Sequence, residues 1–174
     1  MLTNPTLTRL RTMPRTGMAD AYERQQAQAD ATALSFDDRL GLLVDAEGMT
    51  RQNRRVARLL KPAHLRLAAV PEDIDYHQRR GLEPTLRRTR CQGSWILPHQ
   101  NIVLTGPTGV GKSWLACAFG TAACRQGFSV RYGRVPRLCQ EAAAATDRHA
   151  YPAWRRPFFA VVDGLIWDDW GLSS

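Results

Sequence analysis

Gly106-Pro107-Thr108-Gly109-Val110-Gly111-Lys112-Ser113 is the stretch on which the reading of this chain turns. It fits G-x-x-x-x-G-K-[ST] at every fixed position. The spacing has a chemical reason. The turn must wrap a phosphate closely, and Gly109 and Gly111 keep Cβ atoms and their steric limits out of the way. Successive backbone N–H groups then point inward as an anion nest, capped by the positive end of the helix that follows. Lys112 reaches the β- and γ-phosphate oxygens of ATP or GTP, and Ser113 offers its hydroxyl to Mg²⁺. With Trp114, the next residue, these eight make up the expected nucleotide-binding set.

A P-loop needs a buried strand before it and a helix after it. Asn101–Thr105 is a short, nearly all-apolar run, as a buried parallel strand should be. Ser113–Gln126 reads as an Ala-rich helix closed by Gly127 in the C′ position. Ser129–Tyr132 is a second strand, Pro136–Ala145 a second helix, and Phe158–Trp167 a third apolar run. Strand, helix, strand, helix, strand implies an α/β fold with a parallel sheet. The third run ends in two adjacent carboxylates, Asp168 and Asp169, which resemble a Walker B element. In that role Asp168 holds Mg²⁺, usually through water, and Asp169 is the catalytic group that orients or deprotonates the attacking water. The plainer alternative is an acidic turn closing a strand.

Upstream, residues 1–95 read as a helical, basic region ahead of a P-loop domain at 96–174. Ser35 followed by Asp38 resembles a capping signature, with Phe36, Leu40, Leu43 and Val44 at helical spacing. A second helix is expected to start after Thr50 and to end before Pro62, with Arg51, Arg54, Arg55 and Arg58 on one face. Pro71 is expected in the first turn of another helix, and Gly81–Gly93 reads as a linker. The formal net charge is +8, and Arg51–Arg90 holds eleven Arg or Lys against four Asp or Glu. A block of that kind points either to a polyanion, most often nucleic acid, or to a solvated helix face. No apolar run is long enough for a membrane span, and the N-terminus lacks the apolar stretch of a secretory signal, so it reads as part of the mature protein. Cys91, Cys117, Cys124 and Cys139 form no C-x-x-C pair and read as inert reduced thiols of a cytoplasmic protein.

The segment LTGPTGVGKSWLACAFG (104–120), with IDY (74–76) before it and DDWGL (168–172) after, resembles the IstB-like ATP-binding family. These are DnaC-related AAA+ helper ATPases encoded by bacterial insertion sequences. TLTRLRTM, SFDDRLGLLVDAE and NRRVARLLK extend the resemblance across essentially the whole chain. It implies an AAA+-like P-loop NTPase that binds ATP with Mg²⁺, assembles as a homo-oligomer on DNA and assists a transposase in capturing target DNA. The preference for adenine rests on this resemblance alone. Arg51, Arg54, Arg55 and Arg58 become the candidate contacts to DNA phosphates.

The chain also departs from the family pattern. Pro152 and Pro157 are expected to interrupt a stretch where the family has a continuous helix, and Gly164 and Trp167 stand where aliphatic residues are usual. In the implied sheet order, the strand after Walker B inserts between the P-loop strand and the Walker B strand. The sequence stops three residues after Gly171, before that strand, the sensor residue and the arginine finger. The expectation is therefore a domain incomplete at its C-terminus, truncated after Walker B, with weak or no hydrolysis by itself. A non-enzymatic DNA- or transposase-binding fragment and an inactive remnant are the alternatives. A small P-loop kinase fits less well, because no arginine-bearing lid follows.

Overall fold

In the computed structural model, the residues described are 4–28, 33–74, 93, 95–147, 150–159 and 162–171. They divide by internal contacts into Met1–Arg55 and Val56–Ser174. Cys91 and the expected linker, apart from Gly93, lie outside the described residues.

In the first unit, local capping starts the helices. Asn4 accepts from the amides of Thr6 at 3.0 Å and Leu7 at 3.5 Å and so opens α1 (Pro5–Thr12), with Pro5 at its first turn. Ser35 accepts from the Asp38 amide at 3.2 Å and donates to its carboxylate at 2.6 Å, opening α3 (Phe36–Ala63) as the sequence pattern implied. That helix is continuous over 28 residues, where two helices were expected. Thr50 does not start a new one, because its hydroxyl donates back to the Ala46 carbonyl at 2.8 Å, one turn upstream. Pro62 lies inside the helix, one residue from its end, where only the last turn loses a hydrogen bond.

Between them, α2 (Thr16–Ala27) has no side-chain cap of its own at Arg15. Glu47 of α3, only 6% exposed, supplies the anion instead. Its carboxylate accepts from the Met18 amide at 3.3 Å and pairs with Arg51 at 2.9 Å. Gly17 permits this approach, because a Cβ there would lie 2.6 Å from the Ala46 carbonyl oxygen and 2.8 Å from Glu47 Cα.

The second unit is organised around α4 (Lys112–Arg125), whose residues Leu115 and Cys117–Cys124 are all buried. It is apolar all round because it is covered on more than one side. One side meets the sheet, where Gly120 brings the helix so close that a Cβ would sit 2.9 Å from Ile166 Cδ1. Leu115 and Phe119 pack with Ile74, Ile102 and Leu104. The helix ends as expected at Gly127 (φ 96°), with Gly127 N–H bonded to the Cys124 carbonyl and Phe128 N–H to the Ala123 carbonyl, both at 3.0 Å.

β1 (Val130–Arg134) and β2 (Gly164–Asp168) form a parallel pair running in register from Val130↔Gly164 to Arg134↔Asp168. They are joined through α5 (Val135–Asp147) and α6 (Tyr151–Phe159). The fold is thus a mixed helix and strand architecture with a small parallel sheet and a helical N-terminal region, in keeping with a P-loop NTPase-like domain.

Several boundaries differ from the sequence reading. Residues 101–105 are not paired into the sheet, although Ile102 and Leu104 face α4 while Val103 is 80% exposed, an alternation of period two. A ladder needs a neighbouring strand, and among the described residues the sheet pairs β1 with β2 alone. The third apolar run is split, with residues 158–159 in α6 and the strand starting only at Gly164. Pro152 falls in the first turn of α6, where its missing N–H costs nothing, and Pro157 lies near the end, so neither breaks the helix. Pro71–Asp73 is a single 3-10 turn. Among the described residues no helix is long and apolar enough to cross a membrane.

Candidate functional site

The loop between residue 105 and α4 adopts the backbone that its glycines allow. Gly106, Gly109 and Gly111 have φ values of 144°, 86° and 92°, all in the region that disfavours a side chain. A Cβ at Gly109 would touch nothing, so glycine is required there by conformation and not by packing. Gly111 is the N-cap of α4, and no side chain caps that end. The amides of Lys112, Ser113 and Trp114 are therefore first-turn donors without an intrahelical acceptor. Lys112 folds back over the loop, donating to the carbonyls of Gly106 at 2.8 Å and Pro107 at 2.7 Å. Pro107, Thr108 and Val110 are exposed around it. The half-buried Trp114 side chain packs against the clusters that hold Cys117, Ala118, Leu115 and Phe119.

The sheet carries the acidic pair to this loop. Asp168, the last residue of β2, accepts a hydrogen bond from Ser113 Oγ at 3.0 Å on Oδ1. The same oxygen accepts the Asp169 amide at 3.0 Å. On Oδ2 it accepts the Tyr132 hydroxyl at 2.5 Å, and the Arg66 guanidinium stands 3.7 Å away. Burial opposes ionisation of Asp168, but the hydrogen bonds from Tyr132, Ser113 and the Asp169 amide and the charge of Arg66 outweigh it and hold its pKa below the ordinary value. Burial first, and then the bond to Asp168, push the Tyr132 phenol upward, so it remains a proton donor. Asp169 has a positive φ of 58° and its carboxylate is paired with Arg134 Nε at 2.5 Å.

This donor set suits Mg²⁺. The single proton of Ser113 is committed to Asp168, which leaves the Oγ lone pairs for a cation, and both groups are hard oxygen donors. Mg²⁺ commonly keeps several waters and takes one or two protein oxygens plus phosphate, which these two groups would match. Bound Mg²⁺ would supply neutralisation of phosphate charge.

Tyr132, Arg66 and Arg134 are the site residues that the sequence reading missed. Tyr132 lay within a predicted strand and Arg66 within a basic block, and no local pattern marks either as a partner of Asp168. Of the candidate DNA contacts, all four are exposed. Arg51 is tied to Glu47, and Arg54 donates to Thr16 Oγ1 at 2.6 Å. Arg55 and Arg58 make no ion pair among the described residues. Cys117 and Cys124 are fully buried, and burial raises both thiol pKa values.

The profile of the IstB-like ATP binding protein family matches residues 8–174. Similar proteins include y4pL of Sinorhizobium fredii, named as an insertion sequence ATP-binding protein. It is 46% identical over 99% of this chain and 70% of its own length. The ATP-binding protein of insertion sequence IS1162 from Pseudomonas fluorescens is 45% identical over 100% of this chain and 75% of its own length. The insertion sequence ATP-binding protein Rv3427c of Mycobacterium tuberculosis is 29% identical over 95% of this chain and 65% of its own.

Proposed function

This chain belongs to the IstB-like ATP-binding protein family of insertion sequences, and from that premise we propose that it binds ATP as its Mg²⁺ complex at the P-loop and serves a transposase. The observation that carries the reading is the hydrogen bond from Ser113 Oγ to Asp168 Oδ1, which joins the end of the phosphate loop to the end of β2. In this reading the loop Gly106–Ser113 and the amide of Trp114 hold the phosphates. Lys112 leaves the Gly106 and Pro107 carbonyls for the β- and γ-oxygens, Ser113 ligates Mg²⁺, and Asp168 holds it through water. Asp169 orients the attacking water. Its engagement with Arg134 supports slow hydrolysis by the chain alone.

The proposed division of roles gives residues 96–174 to nucleotide and residues 1–95 to DNA, the transposase or a second copy, with Arg66 reaching the nucleotide side. The exposed Arg55 and Arg58 favour a DNA role for α3. The protein acts in the cytoplasm in this reading.

The test is equilibrium titration with a fluorescent ATP analogue. Tight binding that strengthens with Mg²⁺, is lost in Lys112→Ala and becomes indifferent to Mg²⁺ in Ser113→Ala is the expected result. Binding that survives Lys112→Ala unchanged would overturn it.

A further inference from the structure

Resting on the Mg²⁺-nucleotide reading above, we infer that Tyr132, backed by Arg66, is a positioning residue for the metal side of the site. It pins Oδ2 of Asp168 so that Oδ1 stays on the Ser113 proton and leaves the hydroxyl lone pairs for the cation.

The two oxygens of Asp168 have separate partners. Oδ1 takes Ser113 and the Asp169 amide, while Oδ2 takes the Tyr132 hydroxyl and faces Arg66. A carboxylate's terminal torsion is broad and roughly two-fold, so it does not hold one orientation without an external anchor. Tyr132 is suited to be that anchor. It sits on β1 opposite Ile166, two residues before Asp168, and its side chain is 8% exposed and packed with Ala69, Cys117 and Ala118. The ring therefore has no room to swing, and its hydroxyl has one acceptor to serve.

Its chemistry matters as much as its place. A phenol fixes the carboxylate by donating a hydrogen bond and leaves the negative charge for the metal. Arg66, half exposed and 3.7 Å away, attracts the same oxygen across solvent-screened distance and cannot set the orientation by itself. Outer hydrogen-bond partners of metal ligands typically govern metal affinity by 10- to 100-fold. Phenylalanine would preserve the ring packing and delete the bond alone.

The experiment titrates the fluorescent ATP analogue against wild type, Tyr132→Phe, Arg66→Ala and Asp168→Asn, in EDTA and across a Mg²⁺ series. Circular dichroism melts of each variant run alongside. Tyr132→Phe should bind nucleotide in EDTA like wild type but need about tenfold more Mg²⁺ or greater for half-maximal strengthening. Arg66→Ala, outside the core, should raise the same midpoint by about threefold. A Tyr132→Phe midpoint equal to wild type, while Asp168→Asn loses the Mg²⁺ response, overturns this inference alone. So does equal weakening with and without Mg²⁺, the mark of a merely structural tyrosine. If Tyr132→Phe does not fold, an unchanged midpoint in Arg66→Ala overturns it instead. A wild type indifferent to Mg²⁺ sinks the parent reading, and this one with it.

Discussion

Replacing Asp168 by Asn keeps the side chain's shape and removes its charge, and the stability lost can be worked from its contacts. The carboxylate accepts from Ser113, Tyr132 and the Asp169 amide, beside Arg66, and its side chain is only 15% exposed. An amide offers one oxygen in place of two, so it can serve Oδ1's donors or Tyr132 but not both. Hydrogen bonds to charged groups contribute roughly 1.5–3 kcal/mol and neutral ones about 1 kcal/mol, so Asp168→Asn should lose about 2 kcal/mol at pH 7. The assay is urea unfolding followed by circular dichroism, without nucleotide.

The gap should also depend on pH. Asp168 has a folded pKa depressed below the ordinary aspartate value near 3.8, so as pH falls the unfolded chain takes up this proton first. The stabilisation from its charge is complete well above 3.8, declines as pH drops through that value, and is gone below the folded pKa. Asn does not titrate, so the difference between the two proteins should shrink over that window. Equal stabilities at pH 7, or a difference that stays constant into the acid range, would show that the Asp168 charge does not stabilise the fold.

Two further outcomes follow from the N-terminal helices. Gly17→Ala would drive a Cβ into the backbone of Ala46 and Glu47, which cannot yield as a side chain would, and should cost about 1–3 kcal/mol in the same unfolding assay; an unchanged midpoint would contradict the close crossing of α2 on α3. Arg55→Ala with Arg58→Ala should weaken binding to duplex DNA and flatten its salt dependence by about two phosphate contacts, while leaving nucleotide affinity unchanged; an unaltered salt slope would remove α3 from the DNA reading.

What the sequence made legible was what short-range chemistry decides. The P-loop glycines, the Ser35–Asp38 cap and the Gly127 helix end are each specified within a few residues, and each stands where the pattern put it. The errors came where a local signal had two uses. A Thr before an arginine-rich helical run can cap a new helix or, as Thr50 does, bond back into an existing one. Proline near a helix end can lie outside the helix or, like Pro62 and Pro152, inside its terminal turn. Pairing was the least legible feature. Residues 101–105 have a strand's apolar content, but whether they join a ladder depends on which strand lies beside them, and that is decided far away in the chain. The same holds for the site. Asp168 was visible as half of an acidic pair, whereas Tyr132 and Arg66 meet it only because β1, β2 and the segment after α3 converge there.

The most direct test of the central claim, that residues from the P-loop and β2 form one Mg²⁺-nucleotide site, is thermal unfolding by circular dichroism with and without Mg-ATP. Ligand at a hundredfold excess over its dissociation constant should add about 2.7 kcal/mol to the folded state. The expected result is a cooperative transition that Mg-ATP raises in the wild type and leaves unmoved in Lys112→Ala. A wild-type transition indifferent to Mg-ATP, or one raised equally in Lys112→Ala, would contradict it.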